Sequence, residues 1–274
     1  MHHVLPRIAW SGYLACGMGF LFAPVAAAFV FSFSADRFPT LPMSGLSLQW
    51  YTEVLADPKV WEAARNTVLV AAVNATIATA LGFAASYADI RFRFTGKRLV
   101  LITALLPPTI PLVIMGLAML AYLSRIGLSG TLTSIVICHV VLSAPFAMAV
   151  CRLRLSQMDL SLEAAAHNLG ATPWVAFREI VLPFAWPGIL AAFFLTLAVS
   201  FDEFAVAWFV GGLNETIPVR ILSTLQGQVS PVIHAIGTMT FAVSMALILI
   251  SQCLLRSQAH RTPSGQSNGG EGNV

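Results

Sequence analysis

Six stretches of this chain each run for about twenty residues with almost no charge, the length at which a helix matches a hydrocarbon layer about 30 Å thick. They extend approximately from Ala9 to Phe33, Trp61 to Ala88, Leu99 to Tyr122, Thr131 to Cys151, Gly188 to Val210 and Ile233 to Leu255. A chain of 274 residues with 57% hydrophobic and only 10% charged side chains cannot hide its apolar surface in one water-soluble core. The pattern predicts an all-α membrane protein with six transmembrane helices between residues 9 and 255, so that both termini lie on one side. Arg7 and the alanines at 26 to 28 give the first stretch some likeness to a secretory signal. Its apolar run is too long for a signal core and five more follow, which predicts an uncleaved anchor.

The charges between these stretches are unevenly shared. Arg7, Arg91, Arg93, Lys97, Arg98, Arg152, Arg154, Arg178, Arg256 and Arg261 fall on one side of a six-span layout. The other side has Arg37, Lys59, Arg125 and Arg220, with Arg65 just inside the second span. The positive-inside rule therefore predicts a cytoplasmic N-terminus over residues 1–8, a cytoplasmic loop over about 152–187 and a cytoplasmic tail over 256–274. The tail, ending TPSGQSNGGEGNV, is polar and rich in Gly and Ser, and is expected to be disordered. The net charge of +3, scattered through short loops, excludes a nucleic-acid groove. Cys16, Cys138, Cys151 and Cys253 lack metal-ligand spacing and read as buried packing residues, so no metal site is expected. The segment from Ser34 to Val60 is an outer loop long enough to touch an external partner.

The polar segment from Glu163 to Pro187, EAAAHNLGATPWVAFREIVLPFAWP, interrupts the apolar pattern most sharply. Ala164, Ala165 and Ala166 leave a bare helical face, Gly170 permits a sharp turn, and Pro183 and Pro187 fix where the next membrane helix begins. The segment resembles the EAA signature of bacterial ABC importer permeases. Gly170 is followed after nine residues by Ile180, Val181, Leu182 and Pro183, the spacing of that signature. The resemblance implies the type I importer permease fold, with Glu163, Ala164, Ala165, Gly170, Ile180, Leu182 and Pro183 forming a coupling helix and turn that seat in a cytoplasmic ATPase. One departure stands out: the family's glutamate lies six residues before the Gly, where this chain has Ala164, and Glu163 lies one position earlier. One residue turns a side chain about 100° around a helix, so the usual ion pair to the ATPase is not expected and Glu163→Ala should cost little.

A second resemblance covers Leu197 to Thr238. Ser200 to Phe204 (SFDEF), Gly211 and Gly212, Thr216 with Pro218, and Val229, Ser230 and Pro231 are similar to the last third of the spermidine and putrescine importer permeases. What this implies is an inner-membrane permease subunit that carries a polyamine or related cation. Embedded in the lipid bilayer, it would pair with a second, related permease, two copies of a cytoplasmic ABC ATPase and a periplasmic solute-binding protein. Another solute of the same importer class (an amino acid, opine or phosphonate-like compound) and an ATP-independent secondary transporter are the alternatives.

Individual residues fill in that picture. Asp202 and Glu203 are the only adjacent acidic pair inside a predicted span. An ionised carboxylate facing lipid costs about 2.5–3.5 kcal/mol at a helix centre, so a wet cavity or a partner is expected for them. With Phe201, Phe204 or Trp208 to cover a charged nitrogen, they form a candidate lining for a translocation path. Pro107, Pro108 and Pro111 predict a broken third span. His139 and His234 read as hydrogen-bonded interior residues. No phosphate-binding loop, GxSxG elbow or HExxH pair occurs, so neither enzymatic chemistry nor a cofactor is expected, and ATP hydrolysis belongs to a separate subunit.

Overall fold

The computed structural model describes residues 4–38, 40–159, 161–227 and 231–259. Helix dominates throughout. The helices are α1 (Val4–Phe31), α2 (Gln49–Ala56), α3 (Pro58–Arg91), α4 (Lys97–Leu105), α5 (Leu112–Arg125), α6 (Leu132–Leu155), α7 (Ser161–Asn168), α8 (Pro173–Ala176), α9 (Leu182–Asp202), α10 (Ala205–Val210), α11 (Ile217–Gly227) and α12 (Val232–Ala259). Among the described residues, five helical runs are long and apolar enough to cross a membrane: Trp10–Phe31, Pro58–Arg91, Leu132–Leu155, Pro173–Asp202 and Val232–Cys253.

The third predicted span, the one missing from these five, is broken where its prolines stand. α4 stops at Leu105, a 3₁₀ turn occupies Pro107–Thr109, and α5 restarts after Pro111. Each proline removes a main-chain donor and crowds the preceding turn, so neither piece reaches spanning length by itself.

The fifth span departs from expectation at both ends. Helix begins at Pro173, well before Pro183 and Pro187, because Thr172 Oγ1 accepts from the Val175 N–H at 3.4 Å and Pro173 occupies the first turn. A wide π-type turn over Phe177–Val181 then leads into α9, which carries Pro183 at its start and Pro187 inside. At the other end the run to Val210 is not continuous. The backbone becomes extended at Glu203, and α10 is a separate six-residue helix. α1 begins at Val4, earlier than Ala9. α12 continues to Ala259, past the predicted start of the tail, and residues 260–274 lie outside the described residues, as do Val229 and Ser230.

The chain divides into two compact units, Met1–Asn66 with Glu215–Val243, and Thr67–Asn214 with Ser244–Val274. In the first, Val54, Val60, Ala63, Ile217, Ala235 and Ile236 form an apolar core under the loop that precedes α3. That loop is tied down by Trp50 Nε1, which donates to the Ser34 carbonyl at 2.7 Å, and by the 2.7 Å contact between Tyr51 OH and Ser32 Oγ. Arg220 stands between Asp57 (3.3 Å) and Glu215 (3.4 Å).

In the second unit α3, α6 and α9 pack closely. Gly82 makes this possible: a Cβ there would lie 2.6 Å from Ala147 Cβ and from the Met148 backbone nitrogen. One turn on, Ser86 Oγ donates to the Met148 carbonyl at 2.7 Å, so the two helices are bonded across the contact that glycine allows. Cys138 and Cys151 are buried, as packing residues should be, whereas Cys16 and Cys253 are exposed. The difference follows from the lipid-facing helices that carry them, which a hydropathy pattern does not separate from buried ones.

Candidate functional site

Two places concentrate polar chemistry in the second unit. The first is the segment between α6 and α9. Asp159 Oδ1 accepts the Ser161 N–H at 2.8 Å and starts α7, and that hydrogen bond holds the Asp159 carboxyl below the ordinary aspartate value. The helix ends in a Schellman closure. Gly170 has φ +86°, its N–H donates to the His167 carbonyl at 3.0 Å, and the Ala171 N–H donates to the Ala166 carbonyl at 3.0 Å. The positive φ requires glycine here, while the space around the Gly170 Cα is open.

α7 presents Ala164 and Ala165 outward, together with Leu162 and Leu169, the latter 90% exposed. Trp174 and Val175 extend the exposed apolar surface past the turn. Ile180 and Leu182 are half-buried and Pro183 is exposed. Glu163 is turned the other way. It is 3% exposed, and its Oε2 sits 2.6 Å from Arg91 Nη2 at the end of α3. The one-residue offset from the family pattern thus gives Glu163 an intramolecular partner. Removing it strands a guanidinium and is expected to lower unfolding stability by about 1–3 kcal/mol, a cost to the fold separate from the small effect on ATPase docking expected from sequence. A double-mutant cycle of Glu163→Ala and Arg91→Ala by denaturation in detergent checks this, with most of the loss shared between the two.

Asp89 was not singled out from sequence. It pairs with Arg152 Nε at 2.7 Å and Lys97 Nζ at 3.1 Å. Its signal was a single carboxylate at the end of an apolar run among Arg91, Arg93, Lys97 and Arg98. Arg154 closes the region by lying 3.9 Å over the Phe184 ring and donating from Nε to the Phe184 carbonyl at 2.9 Å.

The second place is the break between α9 and α10. Glu203 is buried and caps α10 with both oxygens: Oε1 accepts from Val206 N–H at 2.9 Å and Oε2 from Ala207 N–H at 3.1 Å. This side-chain capture of main-chain donors is why the helix breaks here. His139 of α6 approaches the same carboxylate, with Nε2 3.2 Å from Oε2, and its Nδ1 pairs with Ser200 Oγ at 2.7 Å. A turn away, buried Asn74 of α3 accepts from Ser143 Oγ at 2.9 Å and donates to the Thr196 carbonyl at 3.2 Å. Three helices are therefore joined by polar groups in the apolar layer; Ser200 stands out in sequence only as the start of SFDEF, and Asn74, Ser143 and Thr196 not at all.

Asp202 differs from its neighbour. It is exposed, accepts one hydrogen bond from Ser244 Oγ of α12 at 2.6 Å, and stands with Glu203 on an open cleft of about 450 Å³. Pro108, Leu112, Leu142, Phe146 and Phe204 supply much of the cleft's apolar wall. The proline-broken segment and the acidic break therefore meet at one cavity. Phe201 is half-buried and Trp208 partly exposed, and neither lines it; Phe146, not anticipated, does. Among the described residues no group of His, Cys, Asp and Glu could hold a metal ion.

Long apolar helices, a proline-interrupted span and polar groups gathered inside the apolar layer define a polytopic membrane protein. The chain belongs to the family described as binding-protein-dependent transport system inner membrane component, whose profile matches residues 78–263. It is 31% identical to the spermidine/putrescine transport system permease protein PotC of Haemophilus influenzae, over 88% of this chain and 94% of that one. It is 33% identical to the putrescine transport system permease protein PotI of Escherichia coli strain K12, over 90% and 91% respectively. A bacterial alginate ABC transporter, solved with an alginate-bound periplasmic protein, shares the fold at a TM-score of 0.67 and 17% identity, covering 93% of each chain. The chain is accordingly a transporter component and not an enzyme.

Proposed function

We propose that this protein is the permease subunit of an ATP-driven importer that carries a polyamine or related small cation across the bacterial inner membrane. The observation that carries the substrate class is Asp202, a carboxylate standing on an apolar cleft beside Phe146 and Phe204. A protonated amine finds there one opposite charge and aromatic faces, while a carboxylate- or phosphonate-bearing solute meets repulsion. The permease names of the relatives favour the same class.

In this reading Glu203 is the frame and Asp202 the contact, since both Glu203 oxygens are already engaged by α10. The exposed apolar surface of Ala164, Ala165, Leu169 and Trp174 is the docking face for a cytoplasmic ATPase, two copies of which act with a second permease and an external solute-binding protein. The termini are cytoplasmic. ATP binding moves the coupling segment, and α9, continuous with it through the π-type turn, passes the movement to the cleft.

Uptake of labelled putrescine and spermidine by the reconstituted complex tests this. Asp202→Asn is expected to raise KM about tenfold, the effect of losing roughly 1.4 kcal/mol of charge interaction, with assembly intact. Unchanged uptake would remove Asp202 from the path.

A further inference from the structure

We propose that the hairpin between α3 and α4 is a docking surface for acidic phospholipid headgroups, with Arg93 and Arg98 as its cationic contacts. The carboxylates near this hairpin are spoken for: Asp89 holds Lys97 and Arg152, and Glu163 holds Arg91. Arg93 and Arg98 are exposed and form no ion pair or hydrogen bond with any described residue. They are therefore the surplus positive charges of the hairpin.

Their surroundings fit a lipid surface better than an acidic protein. Phe92, packed edge-on against Tyr87, is 55% exposed and Phe94 45% exposed, so Arg93 stands in sequence between two half-exposed aromatic rings. Arg98 lies in the first turn of α4, and Leu99, Val100 and Ile102, which follow it, are all exposed apolar residues. No residue of α4 is buried within this chain. An apolar helix with no buried face is at home in hydrocarbon, and a cation in its first turn then sits at the headgroup level. Aromatic rings beside that cation occupy the same interfacial layer. An acidic leaflet attracts basic residues placed there by about 1 kcal/mol each, and their long apolar stems reach along the helix while the charge stays in water.

The proposal needs only that the chain lies in a bilayer and is independent of its solute. Its test uses the full-length chain in nanodiscs of equal phosphatidylglycerol and phosphatidylcholine, with the lipids retained after mild extraction counted by native mass spectrometry. The wild type should enrich phosphatidylglycerol, and Arg93→Gln or Arg98→Gln should each lower that enrichment about fivefold. The paired Arg93→Lys/Arg98→Lys variant should keep most of it. No enrichment by the wild type, or enrichment unchanged in the double glutamine variant, would overturn the proposal. So would a double glutamine variant that loses association with the ATPase while retaining its lipid ratio, because the arginines would then face a protein.

Discussion

Gly82→Val is expected to give a permease that does not keep its folded form in detergent, and even Gly82→Ala should melt well below the wild type. The first side-chain carbon would arrive 2.6 Å from the Met148 nitrogen and 2.8 Å from the Ala147 carbonyl carbon. These are backbone atoms, so no rotamer change relieves the clash and α3 must retreat from α6. Overpacking a tight interior costs about 1–3 kcal/mol when side chains can adjust, and backbone opposition puts this site at the upper end or beyond. The Ser86 bond to the Met148 carbonyl stretches with it. Thermal unfolding of the purified chain decides the matter, with Gly12→Ala as a control, because a Cβ at Gly12 meets nothing within 4 Å. Equal melting of Gly82→Ala and wild type would mean that the helices part freely.

Glu203→Ala should be the second severe substitution, and for a different reason. It leaves the N–H groups of Val206 and Ala207 bare in an apolar layer and takes the neighbouring carboxylate from His139. Each buried donor left without an acceptor costs about 1–3 kcal/mol, so two of them exceed the effect of most single changes. Glu203→Gln, which keeps one acceptor oxygen, should fall between. Unfolding midpoints of Ala, Gln and wild type should therefore be ordered, while Asp202→Asn leaves the midpoint near wild type and acts on uptake. If Glu203→Ala unfolds like the wild type, the cap is not what holds the break.

The contrast between these acidic neighbours marks the limit of sequence reading. Hydropathy located the spans, the prolines at 107, 108 and 111 located a break, and Gly170 located a turn, because each of these signals acts on its own backbone. The break at Glu203 was missed. An acidic pair in an apolar run reads the same whether its carboxylates face a cavity or cap the next helix, and the choice depends on where His139 and Ser244 come from. The ion pairs of Asp89 and Glu163 were hidden for the same reason, since their partners lie on other helices. The fifth span starts earlier than its prolines imply, because Pro183 and Pro187 both ride within the helical run and do not bound it.

Gly170 shows what a position can demand without touching anything. Its φ of +86° lies where L-residues are disfavoured by about 1–2 kcal/mol, yet open space surrounds its Cα. The turn therefore selects by handedness and not by size. A D-amino acid of any bulk would sit there at ease, and the smallest L-residue, alanine, would not.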